Sequence, residues 1–126
     1  MLDTVAASDI RMGMAELDAL VLSGERTVIS AISAGELLFG VARRPERKKL
    51  ATFISEVLGT FDVLPWTLDT SRTYGLVRAD CASRGRSIGH LDMLIAAHAV
   101  AASARLITRD KTFANLEIKG LELVGY

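Results

Sequence analysis

Apolar and polar positions along this chain follow two periods in turn. Thr27 to Ile32, TVISAI, is a short β-branched run of the kind that forms a buried strand. Phe61 to Leu64, FDVL, predicts another, stopped by Pro65, and Arg105 to Thr108 and Leu121 to Val124 predict two more. Met1-Leu2 is apolar but so short that it is a strand only if it lies inside a sheet. Helical spacing fills the intervals. Ser8 to Leu22 places Ile10, Met14, Leu17, Leu20 and Val21 on one side, and Glu46 to Leu58 does the same with Leu50, Phe53, Ile54 and Val57. Between them, Ser33-Ala34-Gly35-Glu36 opens a helix through LLFGVAR that Pro45 interrupts. Thr67 to Arg84 reads as a helix closed by Gly85. From Leu91 onward a helix is apolar on nearly every side, as a helix buried in a core would be. A short turn or helix is expected around Lys111 to Asn115. Strands alternating with helices imply βαβ units, hence an α/β fold with a mainly parallel sheet and helices on both faces. In such folds the functional site lies beyond the carboxyl ends of the strands.

Composition narrows this only a little. With 126 residues, half of them hydrophobic and 24% charged, the chain suits one globular domain spanning 1–126. No apolar run reaches the roughly 18 uncharged residues of a membrane span. The longest, Met93 to Ala104, is interrupted by His98 and Ser103. The start, MLDTVAASDIR, has neither a basic nor an apolar leader pattern, so a cytoplasmic protein without membrane attachment is expected. Cys81 stands alone and has no partner for a disulfide or a zinc site. Fifteen basic and fifteen acidic side chains cancel, which excludes a wholesale polycation but not a local basic patch.

The acids are where the chemistry lies. Asp3 ends the first strand, Glu36 starts the helix after the second, Asp92 starts the buried helix, and Asp110 lies two residues beyond RLIT. Each has an ordinary structural explanation. Ser33 and Glu36 fit a capping box, Asp92 suits a first helical turn, and Asp3 and Asp110 suit caps. Together they are harder to dismiss. Four carboxylates gathered in one cleft repel one another, and a divalent cation removes that penalty. Without His or Cys ligands the set suits Mg²⁺ or Mn²⁺ and phosphoryl chemistry rather than zinc.

In these residues the chain resembles a PIN domain of the VapC type, the toxins of bacterial VapBC toxin–antitoxin pairs. The resemblance is carried by MLDT, ISAISAGELLFGV, VLPW, RSIGHLDMLIAAHAVA and LITRDKTFANL, in this order and at matching spacing. It implies a PIN-like three-layer α/β/α sandwich. It also implies an endoribonuclease that uses Mg²⁺ or Mn²⁺, acts on RNA such as tRNA or rRNA, is neutralised by a cognate VapB-type antitoxin and forms a homodimer. The family's acids fall on Asp3, Glu36, Asp92 and Asp110, with Asp3 and Asp92 as direct metal ligands and Glu36 and Asp110 acting partly through water. Thr108 falls on the family's hydroxyl before the last acid. One departure stands out: the family's Asp-Thr-Asn reads Asp3-Thr4-Val5 here, and an Asn would cap the first helix. Val5 therefore motivates an alternative, a weakened or inactive member that binds antitoxin or RNA without cleavage.

For RNA contact the candidates are the cluster Arg43, Arg44, Arg47 and Lys48, with Lys49 beside it, and the pair Arg109 and Lys111 that flanks Asp110. For any one residue of the cluster a solvated helix face is the preferred explanation, so Arg109 and Lys111 are the better individual candidates. Arg84, Arg86 and His90 are weaker candidates. His98, inside the apolar helix, reads as a hydrogen-bonded core histidine, and Trp66, Phe39, Phe53 and Phe61 read as core or interface. The apolar surface around Leu37, Leu38, Phe39 and Phe53 is a candidate antitoxin face. A receiver-like signalling domain is disfavoured because no adjacent acidic pair follows the first strand. A nucleotide-binding domain is disfavoured because no G-x-G-x-x-G or G-K-[ST] loop is present.

Overall fold

A computed structural model describes residues 1–126. Its sheet is built from very short parallel segments. β1 (Val28–Ser30) pairs with β2 (Asp62–Leu64), with Val28 opposite Asp62 and Ser30 opposite Leu64. β3 (Leu106–Ile107) pairs with β4 (Leu123–Val124). Leu2 joins the two pairs by lying parallel to both Ile29 and Ile107. Its N–H donates to the Val28 carbonyl at 2.9 Å, and the Ile107 N–H donates to the Met1 carbonyl at 2.8 Å. Met1-Leu2 thus lies inside the sheet, the one condition under which so short a segment works as a strand. The spatial order is β2, β1, the Leu2 segment, β3, β4, all parallel. After the Leu2 segment the chain builds outward through β1 and β2, then jumps to the other side for β3 and β4. That reversal opens a crevice at the carboxyl ends of the Leu2 segment and β3.

Successive strand residues point to opposite faces, and the core divides accordingly. Met1, Val28 and Leu106 join Met93, Ile95 and Phe113 in one buried cluster. Leu2, Ile29 and Ile107 join Ala6, Leu17 and Ile54 in another. Helices α1 (Thr4–Asp9), α2 (Ala15–Val21), α3 (Ala31–Ala42) and α4 (Lys48–Thr60) supply the second cluster. The first is supplied by α5 (Leu68–Ser83), α6 (His90–Ala101) and a 3₁₀ turn over Lys111–Leu116. Two helical layers therefore sandwich a parallel sheet, in agreement with the α/β expectation. α5 ends as its glycine predicts: Gly85 takes φ +65°, its N–H reaches the Ala82 carbonyl and the Arg86 N–H reaches that of Cys81.

Two sequence expectations need correction. The helix expected over Ser8 to Leu22 is two helices. α1 starts directly after Asp3, and a 3₁₀ turn over Ile10–Met12 ends at Gly13, whose φ of +61° breaks the helix before α2. The capping box at Ser33 and Glu36 does not exist. The strand expected to run to Ile32 stops at Ser30, which caps α3 by accepting the Ile32 N–H at 3.1 Å. Ser33 lies inside the first turn, buried, with a hydroxyl that has no partner. Ser30 rather than Ser33 wins because its hydroxyl also meets His98 Nδ1 at 2.8 Å, which fixes the helix start against α6. His98 is the core histidine anticipated from the sequence. Burial lowers its pKa, and a hydrogen bond to the Pro65 backbone acts weakly the other way.

Candidate active site

The acids are set by helix starts at the crevice. Asp3 is only 3% exposed, and its carboxylate caps α1 by accepting the Ala6 N–H at 2.6 Å. Asp92 stands in the first turn of α6, after the N-cap Gly89. Asp110 caps the 3₁₀ turn, accepting the Thr112 N–H at 2.8 Å. Glu36, displaced from the position a capping box would give it, occupies the second turn of α3 and is half-buried. The ordinary structural roles of Asp3 and Asp110 are thus real. They coexist with convergence, because helix N-termini carry partial positive charge and make an acceptable place to crowd acids.

Electrostatics shows the crowding. Burial raises the Asp92 carboxyl above the ordinary Asp range, and the charges of Asp110, Asp3 and Glu36, in that order, raise it further. Asp92 therefore senses all three other acids. Asp3 is also raised, first by burial and, least of the contributions, by Asp110. The backbone N–H groups of Ala6 and Val5 and the Thr108 hydroxyl partly offset that rise. Thr108 is buried and its Oγ1 accepts the Asp110 N–H at 3.0 Å, which leaves its own proton free to point toward Asp3. Thr108 thereby connects Asp3 with the Asp110 turn. No three of the chain's carboxylate, imidazole or thiol groups close on one point as a ready-made cage. The array is open.

Val5 loses none of the capping expected of an Asn, since Asp3 itself caps α1 and Val5 sits within the helix with 41% exposure. The capping argument for a weakened member therefore does not apply, and Val5 differs from an Asn only in the hydrogen bonds it cannot offer to neighbouring groups. Gly89, which the sequence reading passed over, has φ −50° and needs no glycine for its backbone. A Cβ there would meet one thing, Asp92 Oδ2, at 3.2 Å. Its position three residues ahead of Asp92 was the available signal.

The basic candidates separate. Arg43, Arg44, Arg47 and Lys48 lie exposed around the turn between α3 and α4, with the Arg43 guanidinium 5.5 Å over the Phe39 ring. Arg43 is seven residues past Glu36, about 10 Å along the helix. Arg109 and Lys111, by contrast, flank Asp110 and line a cavity of about 210 Å³ together with Thr108, Asp110 and Tyr126. Arg84 and Arg86 are drawn into structural pairs, Arg84 with Asp80 and the Leu116 carbonyl, Arg86 with Glu117. Leu37 and Phe53, read as part of an apolar surface, belong to the core around the second cluster, whereas Leu38 and Phe39 are exposed. Trp66 is half-buried, donates to Ser71 at 2.7 Å and meets His98 edge-on.

Comparison with known proteins sets this arrangement in context. The PIN domain family model matches residues 2–119. A VapC ribonuclease, Y4jK of Sinorhizobium fredii, is 34% identical, with 98% of this chain and 94% of that protein aligned. A tRNA(fMet)-specific endonuclease VapC of Shigella flexneri is 26% identical, over 71% of this chain and 67% of its own length. Among solved structures, VapBC2 from Rickettsia felis bound to a DNA fragment from its promoter superposes with a TM-score of 0.88 at 26% identity, covering 100% of this chain and 97% of that one.

Proposed function

The chain belongs to the PIN domain family, and from that premise we propose that it is the endoribonuclease toxin of a toxin–antitoxin pair, cleaving RNA with the help of Mg²⁺ or Mn²⁺. The observation that carries the proposal is the placement of Asp3, Asp92 and Asp110 at the starts of α1, α6 and the Lys111–Leu116 turn, at the carboxyl edge of a parallel sheet, and the raised Asp92 carboxyl agrees with it. The relatives named as VapC ribonucleases support the activity, and the Shigella flexneri enzyme makes tRNA a reasonable substrate class beside rRNA.

The donor set fits the metal. Every candidate ligand is a carboxylate oxygen, and Mg²⁺ typically takes one or two carboxylates, several waters and a substrate phosphate. Asp3 and Asp92 would hold the ion directly, with Glu36 and Asp110 reaching it partly through water. When bound, such an ion polarises phosphate oxygens and lowers the pKa of water for in-line attack. The chain's own contribution is rigidity and charge. The Ala6 N–H fixes the Asp3 carboxylate, and the Thr108 hydroxyl supports its charged form. α6 holds Asp92 at its first turn, and the Lys111–Leu116 turn holds Asp110. Arg109 and Lys111 stand beside Asp110, where an RNA backbone would arrive.

A VapB-type antitoxin is the partner proposed for this chain. The structures of VapBC complexes among its neighbours support it, and the exposed Leu38 and Phe39 on α3 offer an apolar anchor. A homodimer is likewise proposed from the family resemblance, and α5 leaves Leu68 and Leu76 exposed. No helix is long and apolar enough to cross a membrane.

The deciding experiment is cleavage of total cellular RNA by antitoxin-free protein with Mg²⁺, Mn²⁺ or EDTA, beside Asp92→Asn. Discrete fragments that require metal and vanish in the variant are expected. Metal-independent fragments, or undiminished cleavage by Asp92→Asn, would overturn the assignment.

A further inference from the structure

One network beside the acid array is unused by the function so far. Asp9, the last residue of α1, is 9% exposed and carries a carboxylate with two long-range partners. Arg109 approaches it by Nε at 3.1 Å and by Nη2 at 3.5 Å, and the Tyr126 hydroxyl donates to Oδ2 at 2.9 Å. The three residues come from α1, from the segment after β3 and from the segment after β4. Arg109 and Tyr126 both line the cavity of about 210 Å³ that also includes Thr108, Asp110 and Lys111.

The charges explain why such a network is needed. A guanidinium next in sequence to Asp110 is drawn to fold onto that carboxylate. It would then neutralise the array. A separate buried carboxylate on α1 gives Arg109 a fixed partner outside the array. Engagement through Nε and one Nη still leaves the other Nη free. Tyr126 fills a further acceptor position on Asp9 and closes that side of the cavity.

We propose that the cavity beside Asp110 is a subsite for the phosphodiester next to the one cleaved, with Arg109 and Lys111 as its cationic contacts and Asp9 and Tyr126 as positioning residues that hold Arg109 at the rim. The ligand class, single-stranded RNA, rests on the nuclease reading given above.

The test measures binding rather than turnover. A short unstructured oligoribonucleotide is titrated with purified protein in EDTA at several salt concentrations, using fluorescence anisotropy, and each variant's melting temperature is recorded alongside. Arg109→Gln is expected to weaken binding about threefold or more and to flatten the plot of log Kd against log salt by about 0.7, the share of one phosphate on a single strand. Asp9→Asn should reproduce both effects, and Tyr126→Phe should move both in the same direction by less. The double variant Asp9→Asn, Arg109→Gln should bind no worse than Arg109→Gln alone, because both changes remove one contact. Should Asp9→Asn prove unstable, Tyr126→Phe, which removes a single oxygen, carries the test. An unchanged salt slope in folded variants, additive losses in the double variant, or no RNA binding by the parent would overturn the subsite. The two readings fail separately. RNA bound through Arg109 but never cleaved with Mn²⁺ would refute the nuclease and keep the subsite, and metal-dependent cleavage with Asp9→Asn binding unchanged would do the reverse.

Discussion

At the residue scale, Asp92 shows that its carboxylate is placed against its own stability. Its carboxyl is raised by burial and by the charges of Asp110, Asp3 and Glu36. A carboxyl whose pKa is higher in the folded than in the unfolded chain keeps its proton longer when folded, so its ionisation opposes folding. The associated stability is complete below the unfolded value, here 3.8, and is lost as pH rises through the folded value. In EDTA, Asp92→Asn should therefore melt a few degrees above the parent at pH 7, with the gain shrinking to nothing by about pH 3. A variant that melts lower at pH 7 would show that the charge is satisfied where it stands. Gly89 tests position instead of charge. A methyl group at 3.2 Å from Oδ2 must shift the Asp92 carboxylate by a few tenths of an ångström, since Gly89 already has an ordinary backbone conformation. Gly89→Ala should thus lose about threefold to tenfold in cleavage, the scale at which small misplacements act, with the melting temperature nearly unchanged. Full activity in that variant would mean that the carboxylate moves freely.

At the scale of elements, the start of α3 shows what a sequence pattern reveals and where it misleads. TVISAI declared a strand and LLFGV a helix, and both exist. The junction was misread because Ser33-Ala34-Gly35-Glu36 matches a local capping rule, while the capping serine is selected by a contact 68 residues away, Ser30 with His98. The two readings predict opposite mutants. Ser30→Ala removes the cap and strands a buried imidazole nitrogen, and should cost about 1–3 kcal/mol in urea unfolding. Ser33→Ala removes a buried hydroxyl without a partner and should be neutral or slightly stabilising. The reverse order would restore the capping box. The break between α1 and α2 was legible in principle through Gly13. The apolar positions on either side kept a common phase, however, and that hid the left-handed turn.

At the scale of the whole molecule, acids at element ends and a parallel sheet were both readable from the sequence, and together they place the array at the point where strand order reverses. The Asp9, Arg109 and Tyr126 network was not readable, because its members are 100 and 117 residues apart and none stands in a periodic pattern. The distribution of the acids has a consequence for stability. Asp3, Glu36, Asp92 and Asp110 come from the central segment, from α3, from α6 and from the turn after β3, so an ion shared among them links both halves of the sheet. Binding of that kind is lost only when the fold opens as a whole, and it should stabilise the protein against global unfolding by mass action. At free Mn²⁺ about a hundredfold above its dissociation constant, the gain is about 2.7 kcal/mol, enough to raise the melting temperature by several degrees. The shift should be reversed by EDTA and strongly reduced in Asp92→Asn, whose metal-free melting temperature is expected to be higher. An unaltered Mn²⁺ shift in that variant would place the ion elsewhere. No shift in the parent up to millimolar Mn²⁺ would mean that the array takes up metal only together with the RNA phosphate, and a repeat with a non-cleavable oligonucleotide should then recover the stabilisation.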